Sequence, residues 1–179
     1  MWAAVIPHRQ TPVADDSGLP APVIMAPCIL NNPGYLHGRL YGSLAATIDW
    51  RGPELTCDGM TRPNNEGIRL IFASPENEDQ ARLIFVIGID GELDNLENNE
   101  GKANITIIEE GSGRFFSTGR QDRCWTTIQS VEPLSEETNL AFQVDGELYC
   151  AGALRSLNGK GSVTLGDFRY SGRLVLDAS

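Results

Sequence analysis

From Tyr35 onward the chain alternates. Leu36, Gly38, Leu40, Gly42, Leu44, Ala46, Ile48 and Trp50 fall on one face of an extended segment, and Tyr35, His37, Arg39, Tyr41, Ser43, Thr47 and Asp49 on the other. A period of two with one apolar face is the pattern of a half-buried antiparallel strand. The run reads as one long strand, broken by Arg51-Gly52-Pro53. A shorter strand carries Leu55 and Cys57, and the polar cluster Arg62 to Gly67 marks a turn before Ile68, Leu70 and Phe72.

Residues 81–89 are apolar on both faces, which predicts a central strand covered on both sides. An acidic loop from Asp90 to Gly101 separates it from a strand over 103–109. Short strands are expected around Phe115-Phe116 and over 124–131. Two further alternating runs follow, one through Leu140, Phe142, Val144, Gly146, Leu148 and Cys150, the other through Phe168, Tyr170, Gly172, Leu174 and Leu176. No window shows a helical stripe. About eight to ten short strands with turn signals between them predict an all-β domain, either an antiparallel β-sandwich of jelly-roll kind or a closed β-barrel.

Gly38, Gly146 and Gly172 each sit on the apolar face, within a bulky–polar–Gly–charged–Leu sequence. Glycine weakens a strand unless something needs the room. The expectation is that an opposing ring such as Trp50 or Trp125 fills each notch; the alternative is that the notches line a ligand cavity.

Residues 1–34 hold six of the ten prolines and read as an extended tail or linker ahead of a single domain over 35–179. The net charge of −10 leaves no basic stripe for phosphate backbones, so nucleic acid is not an expected partner. No stretch approaches the roughly 20 apolar residues of a membrane helix, so no membrane insertion is expected. Met1 to Ile6 lacks the basic start of a signal peptide and runs into Pro7.

Cysteines decide the expected compartment. Cys28, Cys57, Cys124 and Cys150 are even in number, none lies in a Cys-x-x-Cys pair, and the chain has two histidines, a poor set for zinc. A hairpin centred near Glu137 places Cys124 opposite Cys150, Thr126 opposite Leu148 and Ile128 opposite Gly146, with inward faces matched. That register predicts a Cys124–Cys150 disulfide and, by exclusion, Cys28–Cys57. The mature part of an exported, periplasmic or extracellular protein is the expectation; four buried thiols in a cytosolic protein are the alternative.

Catalytic signatures are missing. There is neither a Gly-x-Ser-x-Gly elbow nor a His-Glu-x-x-His helix, and no catalytic residue is assigned. Glu109 and Glu110 are adjacent, so within a strand they point to opposite faces and form no acid–base couple. Asn158-Gly159-Lys160-Gly161-Ser162 lacks the opening glycine of a phosphate-binding loop and reads as a hairpin turn. No cofactor is expected, apart from calcium at Asp90, Glu92 and Asp94 should the acidic loop curl. Tyr35, His37, Arg39 and Tyr41 share the polar face of the first strand and are the candidate ligand-binding residues, an aromatic platform beside hydrogen-bonding groups. The leading expectation is a non-catalytic binding or interaction module of the cell envelope or exterior, whose partner is a protein, glycan or small ligand. A carboxylate-based hydrolase acting on glycans and a small-ligand carrier are the alternatives.

Overall fold

The computed structural model describes residues 26–63, 66–119, 122–135 and 140–176. The strands are β1 (Tyr35–Gly42), β2 (Ala46–Arg51), β3 (Thr56–Thr61), β4 (Ile68–Ala73), β5 (Leu83–Ile89), β6 (Glu100–Glu109), β7 (Arg114–Ser117), β8 (Cys124–Pro133), β9 (Ala141–Cys150), β10 (Leu154–Ser156) and β11 (Ser162–Val175). One short helix, α1 (Leu93–Leu96), lies in the acidic loop. The domain is all-β, as the alternation predicts.

Hydrogen-bonded neighbours run β3-β4-β5-β6-β8-β9-β11, and β11 returns to β3 through a parallel contact of Val175 with Met60. The path closes on itself, which gives a barrel-like fold. The long strands β6 and β11 each divide one edge between two partners. Residues 100–103 of β6 pair with β8 and residues 106–109 with β7. Likewise β11 pairs with β10 at Ser162 and Val163, then with β9 from Phe168 to Val175. The β1–β2 hairpin extends from the other edge of β11.

Two expectations about strands need correction. The run over 35–50 is not one strand, because it folds back at 43–45 after Gly42, whose φ of 102° suits glycine. The alternation survives the turn because Leu36, Gly38 and Leu40 pair with Trp50, Ile48 and Ala46, which keeps all six on one face. Nor is β5 buried on both sides. Leu83, Phe85, Ile87 and Ile89 are buried, whereas Ile84, Val86 and Gly88 on the outer face are only half-covered.

Aromatic rings fill the interior. Phe72, Phe85, Phe168 and Tyr170 are fully buried, with Phe85 5.5 Å from Phe168 and Phe72 6.0 Å from Tyr170 between ring centres. These rings also fill the glycine notches. A Cβ at Gly38 would collide with the Phe168 ring, one at Gly146 would lie 2.5 Å from the Tyr170 hydroxyl and one at Gly172 2.6 Å from the Phe72 ring. Ring packing therefore explains all three glycines, but with different rings from those expected. Trp50 instead meets the edge of Phe85 at 5.6 Å, and Trp125 stacks on Tyr149 at 5.5 Å.

Two disulfides, Cys28–Cys57 and Cys124–Cys150, brace the fold. Cys124 faces Cys150, Thr126 faces Leu148 and Ile128 faces Gly146, the register read from the sequence. Past Ile128 a bulge shifts the pairing by one residue, so that Ser130 meets Asp145. Cys28 ties the segment before β1 to β3. That segment bridges Pro27 to Thr56, and the Cys28 N–H donates to the Leu55 carbonyl at 2.7 Å.

Candidate functional site

Pairing across six strands builds one continuous polar row on the outer face. Asp49 on β2 opposes His37 on β1, His37 opposes Arg169 on β11, and Arg169 opposes Glu147 on β9. Glu147 opposes Thr127 on β8, which opposes Glu100 on β6. Each of the six sits next to an inward, buried position in its own strand. Strict alternation therefore sends all six side chains outward.

Two pairs of neighbours in the row are bonded to each other. His37 Nδ1 lies 2.7 Å from Asp49 Oδ1, Arg51 Nε donates to the same oxygen at 3.1 Å, and Arg169 Nε lies 3.2 Å from Glu147 Oε1. The hydrogen bond from Arg51, helped by the charges of Arg51 and His37, holds the Asp49 carboxyl below its ordinary range.

A groove of about 490 Å³ lies over the middle of this row, with walls that include His37, Arg51, Glu147, Tyr149, Asp167 and Arg169. Its shape depends on a bulge in β11. His37 pairs with Arg169 while Arg39 pairs with Gly166, so β11 holds an extra residue there, and Asp167 takes a φ of 53°. The bulge turns the exposed Asp167 toward the groove while Phe168 stays buried.

Aromatic pairs flank the charges. On one side Tyr35 lies 4.8 Å from the His37 ring, and partial burial raises the Tyr35 hydroxyl pKa. On the other, Trp125 and Tyr149 stack nearly parallel, 23° apart, with Tyr149 about half exposed. The Tyr149 hydroxyl donates to Glu100, which raises its pKa above the ordinary value.

Of the four residues read as a ligand-binding face, the fold places His37 in the groove wall and Tyr35 beside it. Arg39 and Tyr41 continue along β1 away from it, Arg39 opposite Gly166 and Tyr41 lying over that glycine. The groove's other side chains come from β2, β9 and β11. Their outward positions were visible in the alternation, but the strand neighbours that assemble them were not.

The acidic loop does not gather its three carboxylates. Asp90 is ion-paired with Arg62, and Asp90 and Glu92 line a separate hollow with Arg62, Asn104 and Asp122. Asp94 sits in α1, exposed, while the Asn95 amide donates to Glu92 at 3.3 Å. Among the described residues no group of three or more His, Cys, Asp or Glu is placed to hold a metal ion. Glu109 and Glu110 diverge as alternation requires: Glu109 is buried against Arg114, and Glu110 is exposed toward Arg82.

No protein-family model, curated protein or solved structure matches the chain. The chemistry of the groove is therefore carried by its own side chains. Its donors and acceptors alternate at strand spacing, its carboxylates (Asp49, Glu100, Glu147 and Asp167) outnumber its arginines (Arg51 and Arg169), and flat rings border it on both sides. Such a surface suits a neutral ligand that offers many hydroxyls and apolar C–H faces better than an anionic one.

Proposed function

We propose that the protein is a non-catalytic binding module of the cell envelope or exterior, and that its outer groove holds a polyhydroxylated, glycan-like ligand. The carrying observation is the row Asp49–His37–Arg169–Glu147, bonded at its two ends as His37–Asp49 and Arg169–Glu147 and set between the Tyr35–His37 and Trp125–Tyr149 ring pairs. Stacked rings offer faces for sugar C–H groups, and the row supplies hydrogen bonds in fixed directions. Two disulfides support an oxidising compartment. No helix among the described residues is long and apolar enough to cross a membrane.

Glu147 and Asp167 both border the groove, which favours one second reading, a carboxylate hydrolase of glycans. The pairing of Glu147 with Arg169 weighs toward binding, because an ion-paired carboxylate is poorly placed to deliver a proton. The glycine notches are occupied by rings, which weighs against a carrier that uses them as a cavity. Calorimetric titration against a panel of neutral and acidic oligosaccharides, with product analysis on the same samples, tests the reading. Binding that falls on Tyr149→Ala, with the sugar recovered intact, supports it. Shortened sugar chains would establish the hydrolase, and affinity unaffected by both Tyr149→Ala and His37→Ala would remove the groove from the account.

A further inference from the structure

The turn Asn158-Gly159-Lys160-Gly161-Ser162, between β10 and β11, is held from several sides. Ser156 N–H donates to the Gly161 carbonyl at 3.1 Å. The Asn158 side chain accepts from Phe115 N–H at 3.3 Å and donates to the Gly113 carbonyl at 2.5 Å. Ser162 N–H donates to Ser43 Oγ at 3.1 Å, and Gly161, with a φ of 107°, packs so closely on Ser43 that a side chain there would collide. This loop is anchored before any ligand arrives.

Beside it lies a hollow of about 470 Å³ whose charged walls are Arg123, Arg155 and Lys160, with the hydroxyls of Ser156 and Ser162. Arg155 and Ser162 are direct cross-strand partners, so guanidinium and hydroxyl share a face. Arg123 is fixed just before β8, where its carbonyl accepts from Ala151 N–H at 2.7 Å and its side chain lies against Gly152.

Charge sets this hollow apart. The chain carries a net charge of −10, and Arg51, Arg62, Arg82, Lys102, Arg114 and Arg169 each lie within ion-pair reach of a carboxylate. Among the described residues Arg39, Arg69, Arg123, Arg155, Lys160 and Arg173 have no such partner, but Arg123, Arg155 and Lys160 line one hollow together, and no carboxylate lines it. Three uncompensated cations that converge on one concavity repel one another, and an anion placed between them relieves that repulsion.

We propose that this hollow binds a tetrahedral oxyanion, a phosphate or sulfate group either free or as a monoester. Two arginine forks and one lysine point charge supply directional and non-directional donors for such a group, and the serine hydroxyls complete its shell. A planar monocarboxylate brings half the charge of a phosphate or sulfate dianion and fewer acceptor oxygens.

The test is an amide and arginine side-chain NMR titration of the whole chain at constant ionic strength, with sodium chloride as the control salt. Inorganic phosphate, inorganic sulfate and methyl phosphate are added separately. The expected result is saturable shifts at Gly159, Lys160, Gly161, Arg123 and Arg155 that chloride does not produce. The exposed double variant Arg155→Ala with Lys160→Ala should weaken the affinity at least about tenfold while the unfolding temperature holds. Methyl phosphate binding as well as phosphate would identify an esterified group as ligand, and its exclusion a free ion. Shifts that rise linearly, spread over the surface or persist unchanged in the double variant would overturn the site.

Discussion

Tyr170 lies directly across from Gly146 in the β9–β11 pair, and its ring occupies the space that a side chain at 146 would fill. Thr126 Oγ1 donates to the Glu147 carbonyl at 2.7 Å, so the 2.8 Å contact between Tyr170 and Thr126 has the phenol as donor. Tyr170 is fully buried, which drives its hydroxyl pKa far above the ordinary value and keeps it neutral. One glycine thus lets the largest buried polar ring lie flat in the core and still satisfy its hydroxyl.

Substitution at either partner should be felt. Gly146→Val forces the ring aside and is expected to destabilise by about 1–3 kcal/mol through overpacking. Tyr170→Phe keeps the ring but strips one partner from buried Thr126, with an expected loss of about 1–2 kcal/mol. Urea unfolding measures both. A neutral Gly146→Val would mean that the notch has room the structure does not give it.

The disulfides make a second, separable prediction. They close segments of 29 and 26 residues, so each should contribute on the order of 3 kcal/mol by restricting the unfolded chain. Non-reducing peptide mapping should recover Cys28 with Cys57 and Cys124 with Cys150. The paired change Cys124→Ala with Cys150→Ala should lower stability by about that amount and leave the β8–β9 register intact. A Cys57–Cys124 peptide would contradict the register itself.

Why that register could be read while the groove could not is a matter of range. Cys124 and Cys150 sit on two strands joined by one hairpin, so alternation and the turn between them fix their pairing. The groove needs β1, β11 and β9 side by side, and β1 and β11 are separated by most of the chain. Periodicity assigns His37, Glu147 and Arg169 to outward faces but carries no information about which strands are neighbours. The turn at 43–45 was hidden for a related reason: a tight hairpin that keeps Leu36 level with Trp50 preserves the parity of the pattern it interrupts. The bulge at Asp167 left no compositional mark beyond a preceding glycine.

Glu109 ties stability to pH. Its carboxylate accepts from Arg114 Nε at 2.6 Å and Nη2 at 3.0 Å, and from Ser112 Oγ. The hydrogen bonds from Arg114, then from Ser112, outweigh burial and lower its pKa from the ordinary value of 4.5. A carboxyl depressed in the folded state stabilises fully above its unfolded pKa and loses that contribution as pH falls through the folded one. Glu109→Gln should therefore be less stable than the parent at pH 7. The difference should shrink as the pH drops below 4.5. Chemical denaturation across that range gives the curve, and a gap that widens on acidification would reverse the assigned sign.

Gln143 makes the last prediction, because it fastens the segment ahead of β1 to the barrel. It is buried on β9, its Oε1 accepting from Asn32 N–H at 3.1 Å and its Nε2 donating to Ser171 Oγ at 2.8 Å. Around it, Asn31 Nδ2 donates to the Pro133 carbonyl at 3.1 Å and Arg173 Nη2 to the Ile29 carbonyl at 3.3 Å. Residues 29–32 have no strand pairing of their own, so these side chains hold what the Cys28–Cys57 bridge leaves loose. Gln143→Leu keeps the volume but removes all three of its side-chain hydrogen bonds, including that from Nε2 to the Asn32 carbonyl at 3.4 Å, leaving Asn32 N–H and Ser171 Oγ without that partner, an expected loss of about 1–3 kcal/mol. The more specific readout is local. Hydrogen exchange at Asn32 should accelerate well beyond the change in global stability, while amides of β9 and β11 follow the global value. Exchange at Asn32 that merely tracks global unfolding would show that the disulfide alone holds the segment and that Gln143 serves only the core.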